Sequence, residues 1–68
     1  MSITVEINGE ARRLEGPLSV AALLHLLDLP REKVALERNR EIVPRSFYDT
    51  VMIEEGDRLE IVHFIGGG

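Results

Sequence analysis

An Asn-Gly pair between two short alternating segments is the feature that most restricts the fold of this chain. Residues 3–7 alternate between apolar and polar side chains, which is the pattern of a half-buried strand. Asn8-Gly9 follows at once, and this pair suits a type I′ hairpin turn because both central residues of that turn need positive φ. The sequence therefore predicts a β-hairpin whose second strand runs from Glu10 to Leu14.

One helix is predicted to follow the hairpin. Ser19 is suited to cap it, because its side chain can accept a hydrogen bond from an early backbone N–H. Pro30 disfavours helical backbone at the preceding residue, so we expect the helix to end near Leu29. The apolar residues of this segment fall on one helical face, namely Val20, Leu23, Leu24 and Leu27.

The second half of the chain predicts further strands. Alternation from Val34 predicts a third strand, and residues 41–43 predict a short fourth. Residues 46–50 predict a brief helical turn or a loop, and a tight turn at residues 55–57 leads into a last strand over residues 58–65. This order predicts an α+β fold in which one crossover helix packs across a mixed sheet. The first and last strands are expected to be parallel neighbours at its centre.

Composition limits the classes of function. The 68 residues make one small domain, which leaves little room for a deep substrate pocket. Without cysteine, the chain has neither a thiol nucleophile nor a persulfide of its own. A net charge of −4 disfavours nucleic acid and anionic membranes as partners, and fits either a basic protein surface or plain solubility. No segment has the pattern of a signal peptide or a membrane span, so a cytoplasmic protein is expected.

The chain ends in three glycines directly after the predicted last strand. We interpret residues 1–65 as the folded domain and residues 66–68 as a flexible tail. Glycine has no Cβ, so such a tail can lie extended in a narrow cleft of another protein and present its carboxylate there. A frayed terminus is the simpler interpretation. Because the tail follows a predicted strand directly, we favour a functional carboxylate on Gly68 over a frayed end.

Two apolar side chains beside the tail are the remaining candidates. Strict alternation places Val62 and Phe64 on the face opposite Leu59 and Ile61. They are predicted to dock a partner, with Phe64 as an aromatic anchor, although cover by a loop is the alternative. The two histidines lack the spacing of a metal site. The acidic side chains of residues 54–60 lack the cleft that a catalytic pair needs, so we interpret them as surface charge.

Four segments carry a family pattern: Ile42-Val43-Pro44-Arg45, Glu55-Gly56-Asp57, the strand from Glu60 to Ile65, and the Gly67-Gly68 end. Together with the order of elements, they resemble the ThiS family of ubiquitin-like sulfur carriers in thiamine biosynthesis. The resemblance spans the chain and implies a ubiquitin-like β-grasp fold. A terminal di-glycine is shared by all ubiquitin-like carriers, whereas the Val-Pro-Arg segment and the short length point to ThiS.

The resemblance also implies a mechanism in which the chain is a carrier and not an enzyme. A ThiF-type adenylyltransferase uses ATP and magnesium to adenylate the terminal carboxylate, here that of Gly68. A persulfide from a cysteine desulfurase system then leaves a thiocarboxylate, whose sulfur goes to a ThiG-type thiazole synthase. The resemblance implies that Gly67 allows close passage through the partner's channel and that Gly66 gives reach. It implies no cofactor or metal bound by the carrier itself.

Other functions fit the same residues. The small subunit of molybdopterin synthase uses the same thiocarboxylate but is typically longer, and related carriers supply sulfur for tRNA thiolation or cysteine synthesis. A protein modifier would instead end in an isopeptide bond from Gly68 to a lysine. A β-grasp binding module with an inert tail is a further alternative.

Overall fold

A computed structural model describes residues 1–64 of the chain. In chain order, the elements of that range are β1 (Ser2–Ile7), β2 (Glu10–Glu15), β3 (Leu18–Ser19), α1 (Val20–Leu26), β4 (Val34–Arg38), β5 (Glu41–Ile42), β6 (Met52–Ile53) and β7 (Arg58–His63). Short 3-10 turns cover Arg31–Lys33 and Arg45–Phe47. Five strands form one sheet in the order β2-β1-β7-β4-β5, and β3 pairs with β6 in a separate ribbon.

The first and last strands are parallel neighbours in the middle of the five-stranded sheet, as the sequence predicted. β1 pairs antiparallel with β2 on one side and parallel with β7 on the other, and β7 pairs antiparallel with β4. Because parallel strands cannot be joined by a tight hairpin, the chain between β1 and β7 has to cross over the sheet, and α1 lies in that crossover. The predicted mixed sheet with one crossover helix is confirmed.

Both tight hairpins of the sheet use left-handed backbone. Asn8 and Gly9 have φ values of 50° and 85°, which confirms the predicted turn between β1 and β2. Asn39 and Arg40 have φ values of 52° and 71° and join β4 to β5 in the same way. Asparagine tolerates this conformation better than most residues, so its place as the first central residue of each turn favours the two hairpins.

Ser19 caps α1 as predicted. Its hydroxyl accepts a hydrogen bond from the backbone N–H of Ala22 at 3.0 Å, which satisfies one of the free donors at the helix start. The apolar face of the helix is buried through Val20, Leu23 and Leu24. Residues 1–64 contain one α-helix, α1, and it is neither long nor apolar enough to cross a membrane.

The predicted end of the helix near Leu29 was wrong, because α1 ends at Leu26. Asp28 adopts a left-handed φ of 59°, so the chain leaves the helical conformation two residues before Pro30. The N–H of Asp28 donates to the carbonyl of His25, and the N–H of Leu29 donates to the carbonyl of Leu24. These two bonds form a Schellman motif, in which aspartate takes the position usually occupied by glycine.

The hydrophobic core lies between α1 and one face of the five-stranded sheet, which we call the inner face; the opposite face is the outer face. The largest fully buried side chains are Tyr48, Leu23, Leu24, Leu36, Leu59, Val20 and Val34. The one hydroxyl among them is satisfied, because Tyr48 donates to the carbonyl oxygen of Val34 at 3.1 Å. Within residues 1–64, α1 therefore covers the inner face of the sheet and leaves the outer face exposed to solvent.

Candidate functional site

β7 leads the chain towards the predicted reactive end. Gly66, Gly67 and Gly68 lie outside the described residues, and so does the predicted boundary between the domain at residues 1–65 and the tail at residues 66–68. Their roles therefore stay predictions. The structure defines the strand that precedes them and the surroundings of Phe64, where the description ends.

Side chains alternate between the two faces along β7. Leu59 is buried on the inner face and Ile61 is partly buried beside it, whereas Val62 and Phe64 are 55% and 49% exposed. His63 is exposed as well, at the end of the strand. No loop of residues 1–64 covers Val62 and Phe64, so both are accessible next to the start of the tail. Their role in docking stays a prediction.

Asn8 holds β7 at the point where β1 ends. Its backbone N–H donates to the carbonyl of Leu59 at 2.9 Å. Its side-chain Nδ2 donates to the carbonyl of Ile61 at 3.1 Å, and its Oδ1 accepts from the N–H of Ile61 at 2.7 Å. The asparagine side chain thus imitates one further residue of β1 and continues the ladder along β7. Sequence reasoning explained this residue by the turn alone and missed this second role.

Replacing Asn8 with glycine is expected to loosen the end of β7 while the turn is kept. Glycine adopts positive φ without strain, so the change removes little beyond the two side-chain hydrogen bonds to Ile61. We expect a loss of about 1–2 kcal/mol in the free energy of unfolding and faster hydrogen exchange at the Ile61 amide. The Phe64 amide, which donates to Lys33 on the other side of the strand, is the internal control. Unchanged protection of Ile61 would contradict this role of Asn8.

A shallow cleft borders the start of the tail. It has a volume of about 210 Å³, and Ile42, Pro44 and Phe64 are among the residues that line it. The segment Ile42–Arg45, which contributed to the family pattern, is therefore a neighbour of Phe64 in space. No spacing rule could have shown this, because the two segments are brought together by the pairing of β4 with both β5 and β7.

Reciprocal arginine contacts hold the loop behind this cleft. Arg31 donates two hydrogen bonds to the carboxylate of Asp49, at 3.0 and 2.9 Å, and Arg45 donates from Nε to the carbonyl of Arg31 at 3.2 Å. The hydrogen bond from Arg31 holds the pKa of Asp49 below its usual value. The Arg31 guanidinium also lies 5.8 Å from the centre of the Tyr48 ring. These contacts hold Arg45, which lines the same cleft as Phe64.

Residues 1–64 contain no group of three or more His, Cys, Asp or Glu side chains arranged to hold a metal ion. His25 and His63 are both exposed, on different elements. The terminal carboxylate of Gly68 lies outside the described residues and stays the predicted chemical group.

Comparison with known proteins places this site in a family. The model of the ThiS family matches residues 5–68, from the first strand to the last glycine. The chain belongs to the ThiS family. It is thereby one of a family of small sulfur carriers of thiamine biosynthesis.

Individual ThiS proteins agree with this assignment. The chain is 40% identical over 50 residues to the sulfur carrier protein ThiS of Bacillus subtilis. These 50 residues are 74% of this chain and 76% of that protein. The crystal structure of a thiamine biosynthesis protein (ThiS) from Geobacter metallireducens matches with a TM-score of 0.82 and 32% identity, over 97% of this chain and 100% of that one. The predicted ubiquitin-like β-grasp fold is therefore confirmed.

Two similar proteins of greater length are thiazole synthases. The protein from Paramagnetospirillum magneticum is 55% identical over 62 residues, which are 91% of this chain and 19% of that protein. The protein from Magnetococcus marinus is 44% identical over 64 residues, which are 94% of this chain and 20% of that protein. The chain thus spans about a fifth of the length of these curated relatives.

Proposed function

We propose that the chain carries sulfur as a thiocarboxylate on Gly68. The family match over residues 5–68 is the observation that carries the proposal. The chemistry has a physical motive. An α-carboxyl group has a pKa of about 3.5, so it is ionised near neutral pH and its carbonyl carbon has no leaving group. Activation has to supply one before sulfur can be attached.

Adenylation is the proposed activation. A carboxylate oxygen of Gly68 attacks the α-phosphorus of ATP, the bond between the α- and β-phosphates breaks, and pyrophosphate leaves with magnesium. A persulfide sulfur then attacks the acyl carbon, and AMP leaves with the electron pair of the broken C–O bond. A thiol finally reduces the resulting acyl disulfide, which releases the thiocarboxylate and a disulfide on the donor side. Partner proteins carry out the activation and supply the persulfide, and the carrier supplies the reacting carboxylate.

The proposed partners are a ThiF-type adenylyltransferase, a cysteine desulfurase system that supplies the persulfide, and a ThiG-type thiazole synthase. Two thiazole synthases that contain a segment similar to this chain support the last of these. ATP and magnesium belong to the activating enzyme. The net charge of −4 supports protein partners over nucleic acid or an anionic membrane, and we propose the cytoplasm as the compartment.

Val62 and Phe64 are the proposed docking contacts for the activating enzyme. Gly68 lies four residues beyond Phe64, and four extended residues span at most about 14 Å. An active site that receives Gly68 therefore has to lie within that distance of Phe64. A partner surface at this range can contact the outer side of β7, where Val62 and Phe64 are exposed. The intervening glycines, Gly66 and Gly67, are proposed to pass through the enzyme's channel without a Cβ.

Intact mass spectrometry tests the proposed function. After incubation with the ThiF-type enzyme, ATP, magnesium, a persulfide donor and a thiol, the mass is expected to rise by the difference between one sulfur and one oxygen atom. The same chain without Gly68 is the matched control and should keep its mass. An unchanged mass in a reaction that thiolates Bacillus subtilis ThiS would refute the proposal. Conjugates through lysine in place of the thiocarboxylate would identify a protein modifier.

A further inference from the structure

The outer face of the sheet carries more than the two side chains beside the tail. Residues directly opposite one another on neighbouring strands share a face, and Ala35 is opposite Val62. In the next row, Ile42, Glu37 and Glu60 lie side by side across β5, β4 and β7. Ile42 is 69% exposed, which makes it one of the most exposed apolar side chains in residues 1–64. We call these five residues the docking face.

The Glu37–Glu60 pair within this face is unfavourable for the isolated domain. Like charges directly opposite one another destabilise an antiparallel strand pair. Neither glutamate makes an ion pair with another residue of the range 1–64. The cation two positions before Glu60 is Arg58, whose closest carboxylate is that of Glu6 at 3.9 Å. The folded carrier thus gains no stability from this arrangement, and a cationic group on a partner would relieve it.

The docking face is continuous with the start of the tail. Ile42 and Phe64 line the same 210 Å³ cleft, so the apolar surface runs from the last described residue to the edge strand β5. An enzyme that receives Gly68 within about 14 Å of Phe64 has this part of the outer face within reach. Because parts of the face are apolar and its centre is acidic, the complementary surface is apolar around a basic group.

We propose that the docking face binds the adenylating enzyme through apolar contacts at Ile42 and Val62 and through a basic side chain seated on the Glu37–Glu60 pair. This inference rests on the proposed function, since it is the activation of Gly68 that brings an enzyme within reach of this face. An arginine fits best, because its planar guanidinium can donate to both carboxylates at once. Contact with that cation removes the repulsion that the free carrier retains, and this favours the bound state.

Charge-neutral variants of the pair provide the first test. Glu37→Gln and Glu60→Gln are each expected to raise the KM for the carrier about five- to tenfold in ATP–pyrophosphate exchange, with kcat unchanged. Both should also weaken the dependence of KM on salt and raise the urea midpoint of the free carrier. Glu10→Gln makes the same change of net charge on β2, at the far edge of the sheet, and should leave KM unchanged. A pair that served only the fold would not lose affinity while it gained stability.

An apolar variant provides the second test. Ile42→Gln is expected to raise the KM for the carrier by a similar factor, because it removes the contact at the β5 edge of the docking face. Leu26→Gln is the matched control. Leu26 is 62% exposed on α1, which lies on the inner side of the sheet, so its replacement should leave KM unchanged.

The outcomes separate this inference from the function on which it rests. If the unaltered chain supports exchange and the three docking-face variants keep a normal KM, the docking face is refuted and the carrier function stands. If the unaltered chain supports no exchange with its cognate enzyme, the proposed function and the docking face fail together. Raised KM values in these variants with normal values in Glu10→Gln and Leu26→Gln would establish the surface.

Discussion

Replacing Gly67 with valine is expected to abolish adenylation of Gly68. The substitution places a branched Cβ one residue from the carboxylate that is proposed to react, in the part of the tail that is proposed to pass through the enzyme's channel. A misplacement of about 1 Å at a reacting group can lower a rate about 100-fold, so we expect at least that loss in ATP–pyrophosphate exchange. The domain should stay folded, because the change leaves the core residues found within residues 1–64 unaltered. A urea unfolding curve that matches that of the unaltered chain checks this.

A graded series makes the Gly67 prediction sharper. Gly67→Ala adds only a methyl group, so a steric clash should lower its activity less than that of Gly67→Val. If reduced backbone freedom were the cause, the two variants would lose activity almost equally. Normal exchange in Gly67→Val would show that the channel does not require glycine at this position. Conversion of Gly68 could then still occur, so the mass measurement would remain the test of the carrier function.

Replacing Asp57 with alanine is expected to destabilise the domain by about 2–4 kcal/mol. Its side chain is only 7% exposed, and its Oδ2 accepts from Arg38 Nε at 2.7 Å and from the Glu54 backbone N–H at 2.8 Å. Its Oδ1 accepts from Asn39 Nδ2 at 3.1 Å. Loss of one partner from a buried pair costs about 3–5 kcal/mol, and we expect less here because the Arg38 side chain is 27% exposed. The free energy of unfolding of a 68-residue domain is roughly 3–10 kcal/mol, so this loss should leave the variant close to unfolding.

The pH dependence of stability provides the control for Asp57. Burial raises the pKa of this carboxyl group, but hydrogen bonds from Arg38, the Glu54 backbone and Asn39 outweigh that effect and leave the pKa below its usual value. The resulting stability is complete above the unfolded pKa of about 3.9 and is lost as the pH falls through the folded pKa. Below about pH 4, the unaltered chain should therefore lose stability more steeply than Asp57→Asn. Parallel pH curves for the two proteins would contradict the ionised network.

The Asp57 network also shows how the family pattern relates to the fold. The Glu55-Gly56-Asp57 turn was predicted from its sequence, and Gly56 has the positive φ of 84° that such a turn uses. The aspartate itself was assigned to surface charge. In the structure it joins the start of β7 to the end of β4 through Arg38 and Asn39. Its partners are about twenty residues away along the chain, so no local pattern could reveal them.

The sequence likewise predicted some features of the candidate site and missed others. The reactive end was inferred from the glycines and the family resemblance, and the exposure of Val62 and Phe64 followed from alternation along one strand. The row of Ile42, Glu37 and Glu60 was missed, because it crosses three strands whose register is set by tertiary pairing. The second role of Asn8 was missed for the same reason, since Ile61 becomes its neighbour only in the parallel pair.

By itself, the sequence determined those elements whose rules are local. The Asn8-Gly9 turn, the Ser19 cap and the alternation along the strands each depend on a few consecutive residues, and all three are found where they were predicted. Only the tertiary structure decided the ribbon of β3 with β6, whose two-residue strands pair across more than thirty residues. Such short strands carry almost no periodic signal. Their formation depends on the core that holds both segments together, as does the outer face that we propose to meet the activating enzyme.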